Sequence, residues 1–322
     1  MTRKIVIAGG SGFLGELATR HFIAQGWRVV VLSRASQKHS RLIRQRYWDG
    51  KTVEPWQQEL EGAHALLNLS GRSVDCRYTS ANRQEIIASR IDSTHCLANA
   101  VAACQHPPKV WINASSATIY RHAYEPQDEV GGEAGNGFSV EVCQQWEQAF
   151  FEKQVPGVRK VALRMGIVLG SNAGALLPMK RLVQLGLGGC FGSGTQYMSW
   201  LHQHDYLRIL EFIISTTAAE GTINATAPQP LPNRLFLKAM RKTIGIPFGL
   251  PLPRPLLALG ALLIRTETEL ILKSRCVVPR RLQELGFEFR YPTAEEALQE
   301  LLGKKIPAAN PNNYYPTQPS AA

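Results

Sequence analysis

Apolar residues recur along the first half of the chain in two alternating rhythms. Short β-branched runs with no polar face, at residues 4–8 (KIVIA) and 27–32 (WRVVVL), flank a stretch, 13–25, whose apolar residues return at helical spacing. The same alternation predicts strands near 46–48 and at 65–69, 110–114 and 161–169, with helices over about 79–105 and 138–154. Parallel strands need crossover connections of a dozen residues or more. The pattern therefore predicts an α/β protein: a Rossmann-type doubly wound parallel sheet with helices on both faces. No internal repeat interrupts it.

After residue 170 the texture changes. Residues 186–194 are glycine-rich, 199–202 read as a strand leading into a helix capped by Asp205, and 228–233 and 246–255 are rich in proline. Residues 254–302 read as mainly helical, with an extended stretch near 287–291. This predicts a smaller, mostly helical C-terminal domain on the substrate side. The expected division is a Rossmann domain over 1–170, with 199–226 returning to it, a substrate-side domain over 171–198 and 227–305, and a disordered Pro/Asn/Ala/Gln-rich tail over 306–322. The apolar stretch 256–264 is too short to span a bilayer and reads as a buried helix.

The strongest local signal is Gly9-Gly10-Ser11-Gly12-Phe13-Leu14-Gly15, which follows the first strand and opens the first helix. Glycine permits a tight turn and a close approach of backbone to a diphosphate, and the free N–H groups of a helix start bind that anion. Gly9, Gly12, Phe13, Leu14 and Gly15 are the expected contacts. At the end of the second strand an NAD site usually carries an acidic residue for the ribose 2′-hydroxyl. Here no Asp or Glu occurs between Val30 and Arg41; the sequence offers Ser33 and Arg34, then Lys38 and Arg41. A guanidinium can hold a 2′-phosphate through charge-assisted hydrogen bonds, so the expected cofactor is NADP, with Arg34 its main anchor. A solvated loop arginine is the plain alternative. Asp49 is a candidate for the adenine amino group, and a turn at Asp49-Gly50 accounts for it equally well. Leu69, Ser70 and Gly71, ending the fourth strand, should pass the adenosine ribose and the diphosphate.

At 322 residues, with 44% hydrophobic and 19% charged residues, the chain can bury a large core. Its formal charge of +11 attracts polyanions in principle. The basic residues are dispersed, however, with no run longer than Arg280-Arg281 or Lys304-Lys305 and no nucleic-acid recognition module. The expected partner is a small-molecule substrate, with no specific nucleic acid and no membrane, and with the chain a monomer or a homodimer. Six cysteines without a C-x-x-C pair, and an N-terminus that runs straight into a strand with no leader pattern, point to the cytoplasm.

Ser115-Ser116-Ala117-Thr118-Ile119-Tyr120, after the fifth strand, resembles the extended short-chain dehydrogenase/reductase superfamily. Residues 186–200 (GLGGCFGSGTQYMSW), 142–147 with Trp146-Glu147, and 279–287 (PRRLQELGF) resemble the YfcH-like NAD(P)-dependent epimerase family, which has its own small C-terminal domain. The likeness covers about residues 3–302. It implies that Ser116 is the catalytic serine that hydrogen-bonds the reacting oxygen, and that Gln196 and Trp200 face the substrate. It also implies a Tyr-x-x-x-Lys pair on the next helix, and here the sequence departs. Residues 137–151 contain no tyrosine, Cys143 and Gln145 stand near the lysine's place, and the literal match Tyr47–Lys51 lies by the third strand. Tyr120, four residues after Ser116, is a replacement proton donor, or else a packed structural ring, and His122 is a weaker candidate or a solvated loop residue; Cys143 is a candidate nucleophile or a small buried helix residue. Glu147 reads as a solvated or capping residue. Arg164 and Arg280 can grip an anionic substrate or form salt bridges. His202 and His204 lack a third ligand for zinc, so no metal is expected.

Two functions follow from this. One is an NADP-dependent oxidoreductase or epimerase acting on a sugar-like or other hydroxyl or carbonyl compound, without the usual Tyr-x-x-x-Lys pair. The other is a non-catalytic NADP(H)-binding redox sensor or regulatory protein.

Overall fold

The computed structural model describes residues 2–34, 43–53, 55–171, 173–257 and 269–303. Lys38, Arg41, most of the apolar stretch 256–264 and the 306–322 tail lie outside the described residues.

Seven strands form one parallel sheet in the order β10-β6-β5-β4-β1-β2-β3. The strands are β1 (Lys4–Ala8), β2 (Arg28–Ser33), β3 (Ile43–Tyr47), β4 (Ala65–Asn68), β5 (Val110–Ser116), β6 (Arg159–Met165) and β10 (Gly221–Ala225). Every neighbouring pair in the sheet is parallel. The five inner strands divide their side chains between two apolar clusters, as the period of two requires, while the edge strands β3 and β10 feed only one. Ile5, Ile7, Val29, Val31, Ala65, Leu67 and Ile112 pack on one face with Ala18 and Phe22 of α1 (Phe13–Ala24) and Leu210 and Ile213 of α5 (Gln203–Ser215). Val6, Ala8, Val30, Leu32, Leu66 and Trp111 pack on the other face with Leu97 and Val101 of α2 (Ser80–Ala102) and Phe150 of α3 (Phe138–Glu152). The Rossmann-type doubly wound sheet is the fold of this chain.

The third strand starts earlier than its sequence suggests. Its residues IRQRY lack an apolar run. Arg44 and Arg46, two residues apart and so on one side of the strand, both reach the buried Glu59 carboxylate, at 3.1 and 2.8 Å. The apolar run 161–169 is not one strand. Gly166 breaks it into β6 and β7 (Ile167–Leu169), which leaves the large sheet and pairs in parallel with β9 (Trp200–His202), just after the two-residue strand β8 (Tyr197–Met198). A Cβ at Gly166 would stand 2.7 Å from the Ser199 carbonyl oxygen, so only glycine lets the two backbones approach this closely.

Beyond that break, α4 (Leu176–Gln184) and α6 (Asn233–Ile244) join the last helix, α8 (Ala294–Leu302), around Trp200, Phe191 and Phe236. A short helix, α7 (Arg280–Glu284), packs near β10. Residues 287–291 form no strand. Among the described residues no helix is long and apolar enough to cross a membrane.

The expected cap of α5 is corrected. His202 is the N-cap, its Nδ1 accepting from the His204 N–H at 3.1 Å, while Asp205 lies buried inside the first turn and accepts from the N–H groups of Arg290 and Tyr291, both at 2.9 Å. With Nδ1 occupied as an acceptor, the His202 proton sits on Nε2 and is donated to Glu300, 2.9 Å away. Burial holds this imidazole below its usual range despite the opposing pull of Glu300 and Asp205, and His204 pushes the same way as burial. A depressed folded-state pKa means that the unfolded chain takes up the proton first. The contribution of His202 to stability is therefore whole above about pH 6.5 and lost as the pH falls below it. Thermal melts of wild type and His202→Gln between neutral and mildly acidic pH should show a shallower pH dependence in the variant; parallel curves would refute this.

Candidate functional site

A groove follows the carboxyl ends of the strands at the switch point between β1 and β4, where open α/β sheets bind ligands. The β1 glycine loop divides it. On one side is a cavity of about 560 Å³, on the other a hollow of about 850 Å³, and Gly9, Gly12 and Leu69 line both.

The loop has the form of a phosphate cradle. Gly9 has φ +74°, and a Cβ there would lie 2.8 Å from the Leu69 carbonyl carbon and the Ser70 nitrogen. A Cβ at Gly15 would lie 2.5 Å from Gly10 Cα, so this glycine lets α1 close onto the loop. At Gly12 a Cβ would meet nothing within 4 Å. That residue is the N-cap of α1 and supplies no side-chain bond, which leaves the first N–H groups of the helix facing open space. Each of the three glycines thus meets a different geometric need of the loop.

All eleven expected cofactor residues line this groove. Phe13, Leu14 and Gly15 face the smaller cavity, Ser33, Arg34, Asp49, Ser70 and Gly71 face the larger hollow, and the other three face both. The hollow's electrostatics centre on Arg34. Glu85 is paired with Arg72, and Asp92 with Lys51 at 3.2 Å. Asp49 folds back on its own turn, accepting at 2.8 Å from the Lys51 and Thr52 N–H groups and the Thr52 hydroxyl. The backbone bond from Thr52 and then that from Lys51 hold its carboxyl below the usual range. Arg34 is exposed and makes no ion pair among the described residues. Ser33 Oγ accepts from Gln45 at 2.7 Å, and the buried Ser70 hydroxyl has no partner among the described residues. A hydroxyl and a guanidinium without partners among the described residues, together with a helix start that has no side-chain cap, fit a phosphorylated dinucleotide.

The smaller cavity holds Ser116 at the end of β5. Its Oγ accepts from the Thr118 N–H at 3.2 Å and the Thr118 hydroxyl at 3.1 Å, which leaves its own proton for a ligand oxygen. Thr118 Oγ1 also meets Cys143 Sγ at 3.3 Å. With the Thr118 proton directed to Ser116, the thiol is the donor in that second contact. Burial pushes the Cys143 thiol up, so it stays protonated. From α3 the cavity receives Phe138, Ser139, Val142, Cys143 and Trp146. Ser139 and Cys143 are four residues apart, the spacing of a Tyr-x-x-x-Lys pair, and the helix presents neither a phenol nor an ammonium here.

Tyr120 is not on the cavity wall, which corrects its expected role. The turn at Ala117–Ile119 carries it into a buried cluster with Val140 and Val277. Its hydroxyl donates to Asn224 Oδ1 at 3.0 Å and accepts from Arg164 Nη1 at 2.9 Å, and burial raises its pKa. The phenol on the wall is Tyr78, stacked edge-on against Phe138 with ring centroids 4.8 Å apart. It precedes α2 in a loop without a motif, and no sequence signal singles it out.

Gln196 and Trp200 are also corrected. Gln196 is buried and donates to the Phe191 carbonyl at 2.8 Å, stapling the glycine-rich loop. Trp200 is fully buried, with its indole N–H on the Gln229 carbonyl at 3.1 Å. Neither lines the groove. His122 Nδ1 accepts from the Ser274 N–H at 3.0 Å. Glu147 is neither solvated nor a cap. Its carboxylate takes Arg164 Nε at 2.8 Å and Nη2 at 2.7 Å, and Ser115 Oγ at 2.6 Å. Arg280 is engaged by Glu284 and Asp128, at 2.7 and 3.4 Å.

Residues 5–225 match the NAD dependent epimerase/dehydratase family, and residues 252–301 match a domain of unknown function, DUF1731. The chain is 30% identical to the epimerase family protein SDR39U1 of Bos taurus, over 93% of this chain and 99% of that one. It is 31% identical to the epimerase family protein YfhF of Bacillus subtilis, over 94% and 99% of the two chains. Among solved structures it is similar to human epimerase family protein SDR39U1 with NADPH, with a TM-score of 0.81 at 28% identity, covering 93% of this chain and 99% of that one.

Proposed function

This chain belongs to the NAD-dependent epimerase/dehydratase family, and we propose that it is an NADP(H)-dependent oxidoreductase or epimerase acting on a hydroxyl or carbonyl carbon of a small molecule. The observation that carries this reading is that Arg34 and Ser116 line two adjoining hollows that meet at the glycine loop, with Gly9, Gly12 and Leu69 in both walls. The NADPH held by the human relative supports it.

Gly9, Gly12 and Gly15 hold the diphosphate against the start of α1, Ser70 and Gly71 accommodate the adenosine ribose, and Arg34 takes the 2′-phosphate. The bound nicotinamide supplies hydride exchange with a substrate carbon. Ser116 donates its hydroxyl proton to the substrate oxygen and orients it, with Thr118 and the neutral Cys143 thiol fixing the direction of that donor. Apolar walls from Leu69, Val142 and Ile167 exclude water from the reacting face. The six cysteines, none of them in a disulfide, fit a reducing cytoplasm.

A second reading, a redox sensor that binds NADP(H) without turnover, is favoured by one observation. The helix α3 offers Ser139 and Cys143 where an acid–base pair would stand. A positioned acid–base group contributes about 10²–10⁴-fold in rate, so its absence leaves room for a protein that binds without reacting.

One set of measurements tests both readings. NADPH should bind more tightly than NADH, and Arg34→Ala should remove that preference by weakening NADPH alone, about tenfold or more for a lost charge-assisted contact. Tighter NADH, or an Arg34→Ala variant unchanged toward NADPH, overturns the cofactor assignment. A carbonyl panel with NADPH then separates enzyme from sensor: turnover that falls in Ser116→Ala supports the enzyme, and tight binding with no turnover supports the sensor.

A further inference from the structure

Arg90 is the one charged side chain that lines the smaller cavity among the described residues. It stands in the middle of α2, and its guanidinium is deeply enclosed. Nη1 donates to the carbonyls of Arg72 and Ile86, both at 3.0 Å, and the group lies over the Trp146 ring, 5.0 Å from its centroid. Gly71 gives it room: a Cβ there would stand 3.0 Å from Arg90 Cζ. One edge of the guanidinium is therefore locked in place. The other edge, with Nε and Nη2, makes no hydrogen bond among the described residues and meets no carboxylate.

An enclosed cation without a counter-ion is unfavourable. Two other arginines near the cleft are matched, Arg164 by Glu147 and Arg72 by Glu85, whereas Arg275 is partly buried without a carboxylate partner among the described residues but does not line this cavity. Burial pulls the Arg90 guanidinium below its usual range, opposed only by Cys143 and Tyr78, which are not carboxylates. The Nε and Nη2 edge presents two parallel N–H donors, the geometry that a carboxylate accepts in bidentate fashion. A single guanidinium balances one negative charge, whereas a phosphate dianion would leave charge uncompensated in this cavity. The cavity walls are mainly apolar or aromatic, from Val74, Phe138, Val142, Met165 and Ile167, with hydroxyls at Ser73, Ser116 and Thr118, and the buried Ser139 hydroxyl has no partner among the described residues. Arg90 does not line the larger hollow with Arg34 and Asp49.

We propose that Arg90 is the specificity anchor of this cleft and receives the carboxylate of a substrate whose body is apolar or aromatic. This rests on the reading that the rest of the groove takes the dinucleotide. It narrows the substrate from hydroxyl and carbonyl compounds in general to hydroxy or oxo acids with an apolar body. A nucleotide sugar would instead bring many polar groups against these apolar walls.

The test uses the full chain saturated with NADP, after an NADPH titration that reports on cofactor binding by itself. Phenylacetate and its neutral isostere phenylacetamide are then titrated by calorimetry. Phenylacetate should bind about tenfold or more tightly than the amide, as expected for a charge-assisted pair. In Arg90→Gln that preference should vanish while NADPH affinity is unchanged, and Arg90→Lys should restore it only in part, because an ammonium cannot form the fork. Equal binding of the two probes by wild type overturns the proposal whether or not the variants fold. Loss of NADPH affinity in Arg90→Gln overturns it by assigning the residue to the cofactor, and tighter binding of phenyl phosphate than phenylacetate overturns the carboxylate assignment. If NADPH itself does not bind, the cofactor reading fails separately, and the two probes are compared on the unliganded protein with the same outcomes.

Discussion

Replacing Glu147 by alanine is expected to remove about 3–5 kcal/mol of folding stability, the usual result of stripping one partner from a buried ion pair. The side chains of Glu147 and Arg164 are 12% and 15% exposed, so solvent cannot take over the role of the missing carboxylate. Arg164 donates to Glu147 through two nitrogens and to Tyr120 through the third, and Tyr120 passes its own proton to Asn224. Ser115 completes the carboxylate's shell. The chain of bonds thus ties α3 to β5, β6 and β10 beneath Ser116. Chemical denaturation of Glu147→Ala reads the loss directly. The double variant Glu147→Leu, Arg164→Met should be much less destabilised, because both charges leave together. If the single variant is as stable as wild type, the pair is not the brace described here.

The second large effect separates two glycines of one motif. Gly15→Ala places a methyl 2.5 Å from Gly10 Cα and 2.7 Å from its carbonyl carbon, both backbone atoms that cannot swing aside. Overpacking of this kind costs about 1–3 kcal/mol, against which the better helix propensity of alanine returns about 1 kcal/mol. The loop must also shift, so NADPH affinity should fall together with the melting temperature. Gly12→Ala meets open space, and its φ of −87° suits any residue. It should lower the melting temperature less than Gly15→Ala, by the modest cost of alanine at an N-cap, and weaken the cofactor, whose diphosphate would meet the new methyl. Identical melting temperatures for the two variants would refute the packing argument for Gly15.

The sheet was readable in the sequence wherever a strand is buried on both faces, as in KIVIA and RVVVLS, because a run of β-branched residues between glycines has few other uses. The edge strand β3 was not fully readable. Its arginines fit a sheet only because Glu59, thirteen and fifteen residues further on, comes back to meet them. The glycine loop is readable because it is local: strand, loop and helix start lie within twelve residues. Tyr120, Gln196 and Trp200 misled for the opposite reason. Their types suit a cleft, but their directions depend on Asn224, Phe191 and Gln229, and no local pattern encodes those meetings. Asp205 follows the same logic: its oxygens accept from the backbone of residues 290 and 291 and from the Arg208 side chain instead of capping the first N–H groups of α5. Arg90 was invisible because a basic residue in the middle of a helix usually belongs to a solvated face. Only the fold brings Gly71 and Trp146 around it.

The floor of the smaller cavity is laid by Met165, Gly166, Ile167 and Val168, where the large sheet passes the chain to the β7–β9 pair. Val168 belongs to the apolar cluster under the sheet, while Leu169 belongs to the cluster around Trp200. A molecule resting on that floor therefore touches the joint between two separately packed interiors. Its occupancy adds to their cohesion by mass action, and any loosening between them opens this cavity.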